Sequence, residues 1–116
     1  ASDRQPELVT GGVLRDYQLV GLEWLISLYE NGLNGVLGDE MGLGKTLQCI
    51  SFLAHLIEKG VHGPFLICAP TSTVGNWAAE FSNYTPAVPV VIGITVFRYR
   101  FPYNNNNQQD YYCALF

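Results

Sequence analysis

Between Leu14 and Tyr29 the apolar positions recur at intervals of three and four, so Tyr17, Val20, Gly21, Trp24, Leu25 and Leu28 fall on one face of a helix. Asn31-Gly32 ends that helix, because glycine takes the left-handed backbone conformation found just past a helix C-terminus. The same period returns in Leu47, Ile50, Leu53, Ala54 and Ile57, and Lys59-Gly60 closes this second helix with a cation at its negative end and a glycine cap. Shorter apolar runs lie between and after. Gly35-Val36-Leu37 reads as a buried strand, and Phe65-Leu66-Ile67-Cys68-Ala69 as another, its unbroken run suiting a parallel sheet covered on both faces. Pro70-Thr71-Ser72-Thr73 is a turn able to cap a third helix that runs to about Tyr84. Val88 to Ile92 completes the series as a strand that Pro89 confines to an edge or a strand start. Helices alternating with strands predict an α/β fold, with a parallel sheet, right-handed crossovers and flanking helices.

The pattern stops at Gly93. Phe97 to Tyr103 is aromatic and basic, and Asn104 to Gln109 is an amide tract with little to bury. The chain therefore divides into a polar leader at 1–12, a lobe at 13–92 and a divergent tail at 93–116, the tail expected to lie outside the lobe. The 116 residues begin without Met, as a fragment or a processed product would.

Composition narrows the class. At 48% hydrophobic and 14% charged, the chain suits a buried core and not a disordered segment. No apolar run reaches the ~18 residues of a membrane helix, and the first residues carry no apolar stretch of a secretory signal. A net charge of −4 excludes DNA binding driven by the chain's bulk electrostatics, so any nucleic-acid role rests on local contacts or on a larger protein. Cys49, Cys68 and Cys113 match no metal-binding spacing, and His55 and His62 have no partner at ligand spacing.

The chemistry concentrates between the first strand and the second helix, in Gly38-Asp39-Glu40-Met41-Gly42-Leu43-Gly44-Lys45-Thr46. A phosphate cradle needs glycines that let backbone N–H groups approach an anion, and a helix N-terminus whose unpaired N–H groups and dipole favour negative charge. It also needs a cation and a metal-binding hydroxyl. Gly42, Gly44, Lys45 and Thr46 supply these, with Lys45 reaching the outer phosphates and the Thr46 hydroxyl holding Mg²⁺. The strict G-x-x-x-x-G-K-[ST] pattern has glycine where this chain has Asp39; several P-loop families relax that position. The fold expected is thus a P-loop NTPase.

This segment resembles motif I of the Swi/Snf-type, superfamily-two chromatin-remodelling ATPases, which typically reads D-E-M-G-L-G-K-T. Leu14-Arg15-Asp16-Tyr17-Gln18-Leu19-Val20-Gly21 is similar to the family's L-x-x-Y-Q-x-x-G segment, and Cys68 to Trp77 with Glu80-Phe81 to its motif Ia, with Thr71 in place of the usual Leu. The likeness runs from about Val9 to Val91. Asn31 to Gly35, Gly63-Pro64-Phe65 and the stretch Phe81 to Pro86 resemble most the lymphoid-specific helicase subfamily. The resemblance implies a RecA-like lobe that uses ATP and Mg²⁺ in a nucleus and acts on DNA and nucleosomes as part of a full-length protein. It implies that Gln18 recognises the adenine edge, to which an amide offers one acceptor and two donors. It implies that Asp39, Gly42, Leu43, Gly44, Lys45 and Thr46 surround the phosphates, with Asp39 and Glu40 given no catalytic step, and that Ser72 and Thr73 touch a DNA backbone phosphate. The plainer alternative for Gln18 is a solvated helix residue, that for Ser72 and Thr73 a helix cap, and Trp24 and Trp77 read as core anchors.

Hydrolysis needs more: an Asp-Glu pair on a later strand and arginines from a second lobe. After Glu40 the acids are Glu58, Glu80 and Asp110, none adjacent, and the later arginines are Arg98 and Arg100 in the tail. The expectation is a truncated lobe that binds ATP without turning it over. A truncated product, a retained intron or a frame change near Ile92-Gly93 would each produce such a tail. The competing expectation is a non-catalytic interaction module; a small kinase is disfavoured by the wording of the two motifs.

Overall fold

The computed structural model describes residues 4–37, 44–61, 65–92 and 111–115. Asp39, Gly42 and Leu43, with the rest of 38–43, lie outside the described residues, as does most of the tail. The elements run α1 (Asp16–Glu30), α2 (Lys45–Glu58), β1 (Leu66–Pro70), α3 (Thr71–Tyr84), β2 (Val91–Ile92) and β3 (Tyr111–Leu115).

The helix ends fall where the glycines put them. Gly32 (φ 67°) and Gly60 (φ 88°) take the left-handed conformation. After α1, the Gly32 N–H donates to Tyr29 O and the Leu33 N–H to Leu28 O; after α2, Gly60 and Val61 do the same to Ile57 and Leu56. These paired bonds consume the carbonyls that a helix C-terminus leaves open.

The faces of the two helices are less regular than their spacing suggests. α2 buries Leu47, Ile50 and Ala54 as its period predicts, together with the polar Gln48 and Ser51. α1 uses the predicted face only in part: Gly21, Leu25 and Leu28 are half-buried, but Tyr17, Val20 and Trp24 are exposed, while Gln18, Leu19 and Leu22, off that face, are buried. α1 is apolar nearly all round, so periodicity alone does not choose its inner side. The choice is made at Gly21, where a Cβ would stand 2.1 Å from Gln48 Nε2; lacking one, α1 closes directly onto α2. Leu19, Leu22, Leu47 and Ala54 form the core of that contact with Val9 and Leu14.

Val9 and Leu14 belong to a strap formed by residues 4–14. The Leu8 N–H donates to Glu58 Oε1 at the end of α2 (2.7 Å), and the N–H groups of Thr10 and Gly11 donate to Tyr84 O at the end of α3. Gly11 is needed there, since a Cβ on it would fall 1.6 Å from Asn83 O.

The sheet differs from the one expected. Its order is β1-β3-β2, and β3 pairs antiparallel with both neighbours, Leu66 opposite Leu115 and Val91 opposite Leu115. β1 and β2 thus run in the same direction, as a crossover through α3 requires, but a strand from the tail lies between them and the described ladders are antiparallel. A tail segment with β-prone residues can supply backbone pairing whatever its surroundings in sequence. Gly35-Val36-Leu37 forms no strand: Val36 is 86% exposed, and Gly35 packs instead against Leu28 and Trp24. Nor is β1 covered on both faces, since Leu66 and Cys68 are exposed and only Ala69 is fully buried.

Candidate functional site at the start of the second helix

α2 begins without the usual protections of a helix N-terminus. Its cap is Gly44, in the left-handed conformation (φ 76°, ψ 38°), and it has no side chain to accept from the first-turn amides. The first intrahelical bond runs from the Gln48 N–H to Gly44 O at 3.1 Å, which leaves the earlier amides of the turn without intrahelical acceptors. No acid stands in that turn; the first helical residue is Lys45, a cation at the positive end of the dipole. In α1, by contrast, the first turn carries Asp16. A lysine in that place costs roughly 0.3–1 kcal/mol unless an anion answers it. Open amides, a cation and a partly buried Thr46 beside them fit a phosphate with a bound metal ion.

Gln18 comes to this same place from α1. It is buried, at 6% exposure, and its Oε1 accepts from the Arg15 N–H at 2.9 Å, closing the first turn of the helix. Its Nε2 lies against Gly44, 2.3 Å from the position that a Cβ there would occupy. Gln18 is therefore no solvated helix residue. The structure brings it together with Gly44, the residue that caps α2. The two line one open cavity of about 380 Å³ with Arg15, Tyr17 and Leu47, the strap residues Gly11, Gly12 and Val13, and Glu80 and Tyr84 of α3.

Two residues of this region carry no signal in the sequence. Gln5, in the polar leader, is buried at 8% exposure; its Nε2 donates to Val9 O (2.9 Å) and Gly12 O (2.8 Å), and its Oε1 accepts from the Leu14 N–H (2.8 Å). Gln48, one turn into α2, is fully buried; its Nε2 donates to Gln18 O at 3.4 Å, a long bond, and its Oε1 has no partner. Periodicity marks apolar residues, so a buried amide is invisible to it.

The start of α3 is built differently from the expected hydroxyl cap. Its cap residue is Pro70, and no side chain bonds the first-turn amides. The Thr73 hydroxyl donates back to Pro70 O at 2.9 Å, while Ser72 is exposed. With its proton so engaged, Thr73 offers only lone pairs, and Ser72 is the hydroxyl left facing outward. Trp77 is partly buried beside Phe81 (6.5 Å between ring centres), whereas Trp24 is 41% exposed and anchors no core. Burial pushes the Cys49 thiol up from its ordinary value. Among the described residues no helix is long and apolar enough to cross a membrane, and no group of His, Cys, Asp and Glu is placed to hold a metal ion.

The sequence model of the SNF2-related domain matches residues 17–113, a span that takes in α1, α2, α3 and much of β3. The chain is 57% identical over 89 residues to the lymphoid-specific helicase of Homo sapiens, covering 77% of this chain and 11% of that protein. It is 55% identical over 85 residues to the ATP-dependent DNA helicase DDM1 of Arabidopsis thaliana, covering 73% of this chain and 11% of the relative. It is 59% identical over 85 residues to the SWI/SNF chromatin-remodeling complex subunit snf22 of Schizosaccharomyces pombe, covering 72% and 5% respectively. The chain thus spans 11% or less of the length of these relatives.

Proposed function

The chain belongs to the SNF2-related family, and from that premise we propose that it is the nucleotide-binding front of an ATP-driven chromatin remodeller. The observation that carries this reading is the unprotected N-terminus of α2, with a glycine cap, no acid in its first turn and Lys45 at its first position. Gly44 and the amides that follow it cradle the phosphates of ATP, Lys45 neutralises the outer ones, and the Thr46 hydroxyl ligates Mg²⁺. Asp39, Gly42 and Leu43 complete the loop. Gln18 reads the adenine edge: its Oε1 keeps a second lone pair, and its Nε2 lies at the loop. Bound Mg²⁺ draws charge from the phosphates; the chain's own residues bind and orient the nucleotide.

Ser72, outward at the start of α3, meets a DNA backbone phosphate, and Thr73 supports it by holding the turn at Pro70. Remodelling of nucleosomes in a nucleus is the activity we propose for a full-length protein carrying this lobe, and the name of the SWI/SNF chromatin-remodeling complex subunit snf22 supports its chromatin-remodelling part. The 116-residue chain by itself binds ATP without hydrolysing it, because Glu58, Glu80 and Asp110 stand singly and offer no adjacent acidic pair to hold Mg²⁺ and orient water.

Titration with a ribose-labelled ATP analogue and Mg²⁺ tests the binding. Saturable binding by the chain, abolished in Lys45→Ala, supports the reading. Equal behaviour of the two proteins overturns it, and DNA-stimulated phosphate release that Lys45→Ala abolishes overturns the claim of binding without turnover.

A further inference from the structure

We propose that Gln5 is a positioning residue for base recognition, acting through the strap on Gln18. The assignment rests on the nucleotide reading above. Gln5 spends both hydrogens of its amide and one lone pair on a single turn of backbone, at Val9 O, Gly12 O and Leu14 N–H, all within 2.9 Å. That turn is a wall of the cavity: Gly12, Val13 and Arg15 line it beside Gln18. The residue after the pinned Leu14 is Arg15, whose N–H fixes the Gln18 Oε1 at 2.9 Å. A continuous path of hydrogen bonds and one peptide unit therefore runs from Gln5 through Leu14 and Arg15 to the amide that faces the nucleotide base.

Docking of the strap does not depend on this side chain. Leu8 is held by Glu58, Thr10 and Gly11 by Tyr84 O, and Val9 and Leu14 by the core. What Gln5 adds is the shape of the turn from Val9 to Leu14. Without it two carbonyls and one N–H, at the buried Val9 and Leu14 and the half-buried Gly12, lose their partners and rotate to find water, which moves the Arg15 N–H and releases the Gln18 amide. The phosphate end of the site, at the start of α2, has no bond to Gln5 among those described. The consequence is selective: the base end loosens and the phosphate end stays as it was.

The experiment is competition against a ribose-labelled ATP analogue with Mg²⁺, using ATP, GTP and inorganic tripolyphosphate, on the full chain, Gln5→Met and Lys45→Ala. Circular dichroism gives the folded fraction by which each titration is normalised. In Gln5→Met, ATP is expected to weaken by about tenfold and its preference over GTP to shrink, while tripolyphosphate competes as well as in the parent chain. Gly11→Ala pushes a Cβ into Asn83 O, lifts the same strap from its anchor at Tyr84 O, and is expected to give the same split. If Gln5→Met weakens ATP and tripolyphosphate equally, or neither, the assignment of Gln5 is overturned while Lys45-dependent binding keeps the nucleotide reading intact. If tripolyphosphate and ATP fail to bind the parent chain, or bind it and Lys45→Ala alike, the nucleotide reading falls and the Gln5 assignment with it.

Discussion

Gln18 lies directly over Gly44, its Nε2 2.3 Å from the point where a Cβ on that glycine would sit. Gly44 is also left-handed, at φ 76°. An alanine there meets two separate penalties: backbone strain of about 1–2 kcal/mol, and a collision that the Gln18 amide must yield to. In the parent background Gly44→Ala is expected to lower unfolding free energy by about 2–3 kcal/mol. In a Gln18→Ala background the collision is gone and only the strain of about 1–2 kcal/mol is left. Urea denaturation of the four proteins measures the difference as a coupling energy. Equal costs in both backgrounds would show that the two residues do not touch.

The amide of Gln48 gives a prediction of the opposite sign. Its buried Oε1 has no partner and its Nε2 makes only a 3.4 Å bond, so it loses solvation and regains little. Gln48→Met keeps the length of the side chain and removes the orphaned acceptor. We expect the midpoint of urea unfolding to rise, by about 1 kcal/mol in free energy, with an unchanged slope. Gln48→Glu, which buries a charge in the same place, is expected to destabilise.

Lys45 sets function against stability. With no anion present, its charge opposes the dipole of α2, so Lys45→Ala is expected to stabilise the nucleotide-free chain by about 0.3–1 kcal/mol. Added pyrophosphate should raise the melting temperature of the parent chain and leave that of Lys45→Ala unmoved. Thermal scans with and without the anion read both effects.

Arg4 and Glu23 form an exposed ion pair that joins the strap to the outer side of α1. The hydrogen bond from Arg4 holds the Glu23 carboxyl below the usual carboxylate value. A lowered folded value means that the pair contributes above the unfolded pKa of Glu23, and that this contribution disappears as pH falls through the folded one. Carbon-detected NMR titration should find Glu23 protonating at lower pH than an ordinary glutamate, and Arg4→Gln should return it to the ordinary range. Both groups are solvated, so added salt should narrow the gap.

The sequence disclosed what depends on local rules and concealed what depends on partners. The ends of α1 and α2 were legible because Gly32 and Gly60 are demanded by backbone sterics at the helix termini themselves. The start of α2 was legible because the Gly44-Lys45-Thr46 chemistry is contiguous. The inner face of α1 was not, since an element apolar on most sides is oriented by what it meets, here Gln48 under Gly21. Gly35-Val36-Leu37 has the composition of a strand, but a strand exists only where another backbone accepts it, and the described partner of β1 is β3 from the far end of the chain. Gln5 and Gln48 were hidden for a related reason: a buried amide is defined by the groups around it, and those come from distant turns.

The strap and the end of α3 are joined like a clasp, with Thr10 and Gly11 held by the carbonyl of Tyr84. On a ribosome the two halves of that clasp emerge far apart in time. The strap emerges before α3, so the bond from Leu8 to Glu58 and the packing of Val9 and Leu14 against α1 and α2 are able to form while Thr10 and Gly11 still lack their carbonyl. Thr10 and Gly11 are thus the part of the strap left open longest to proteases and holding chaperones, and that vulnerability ends when Tyr84 arrives.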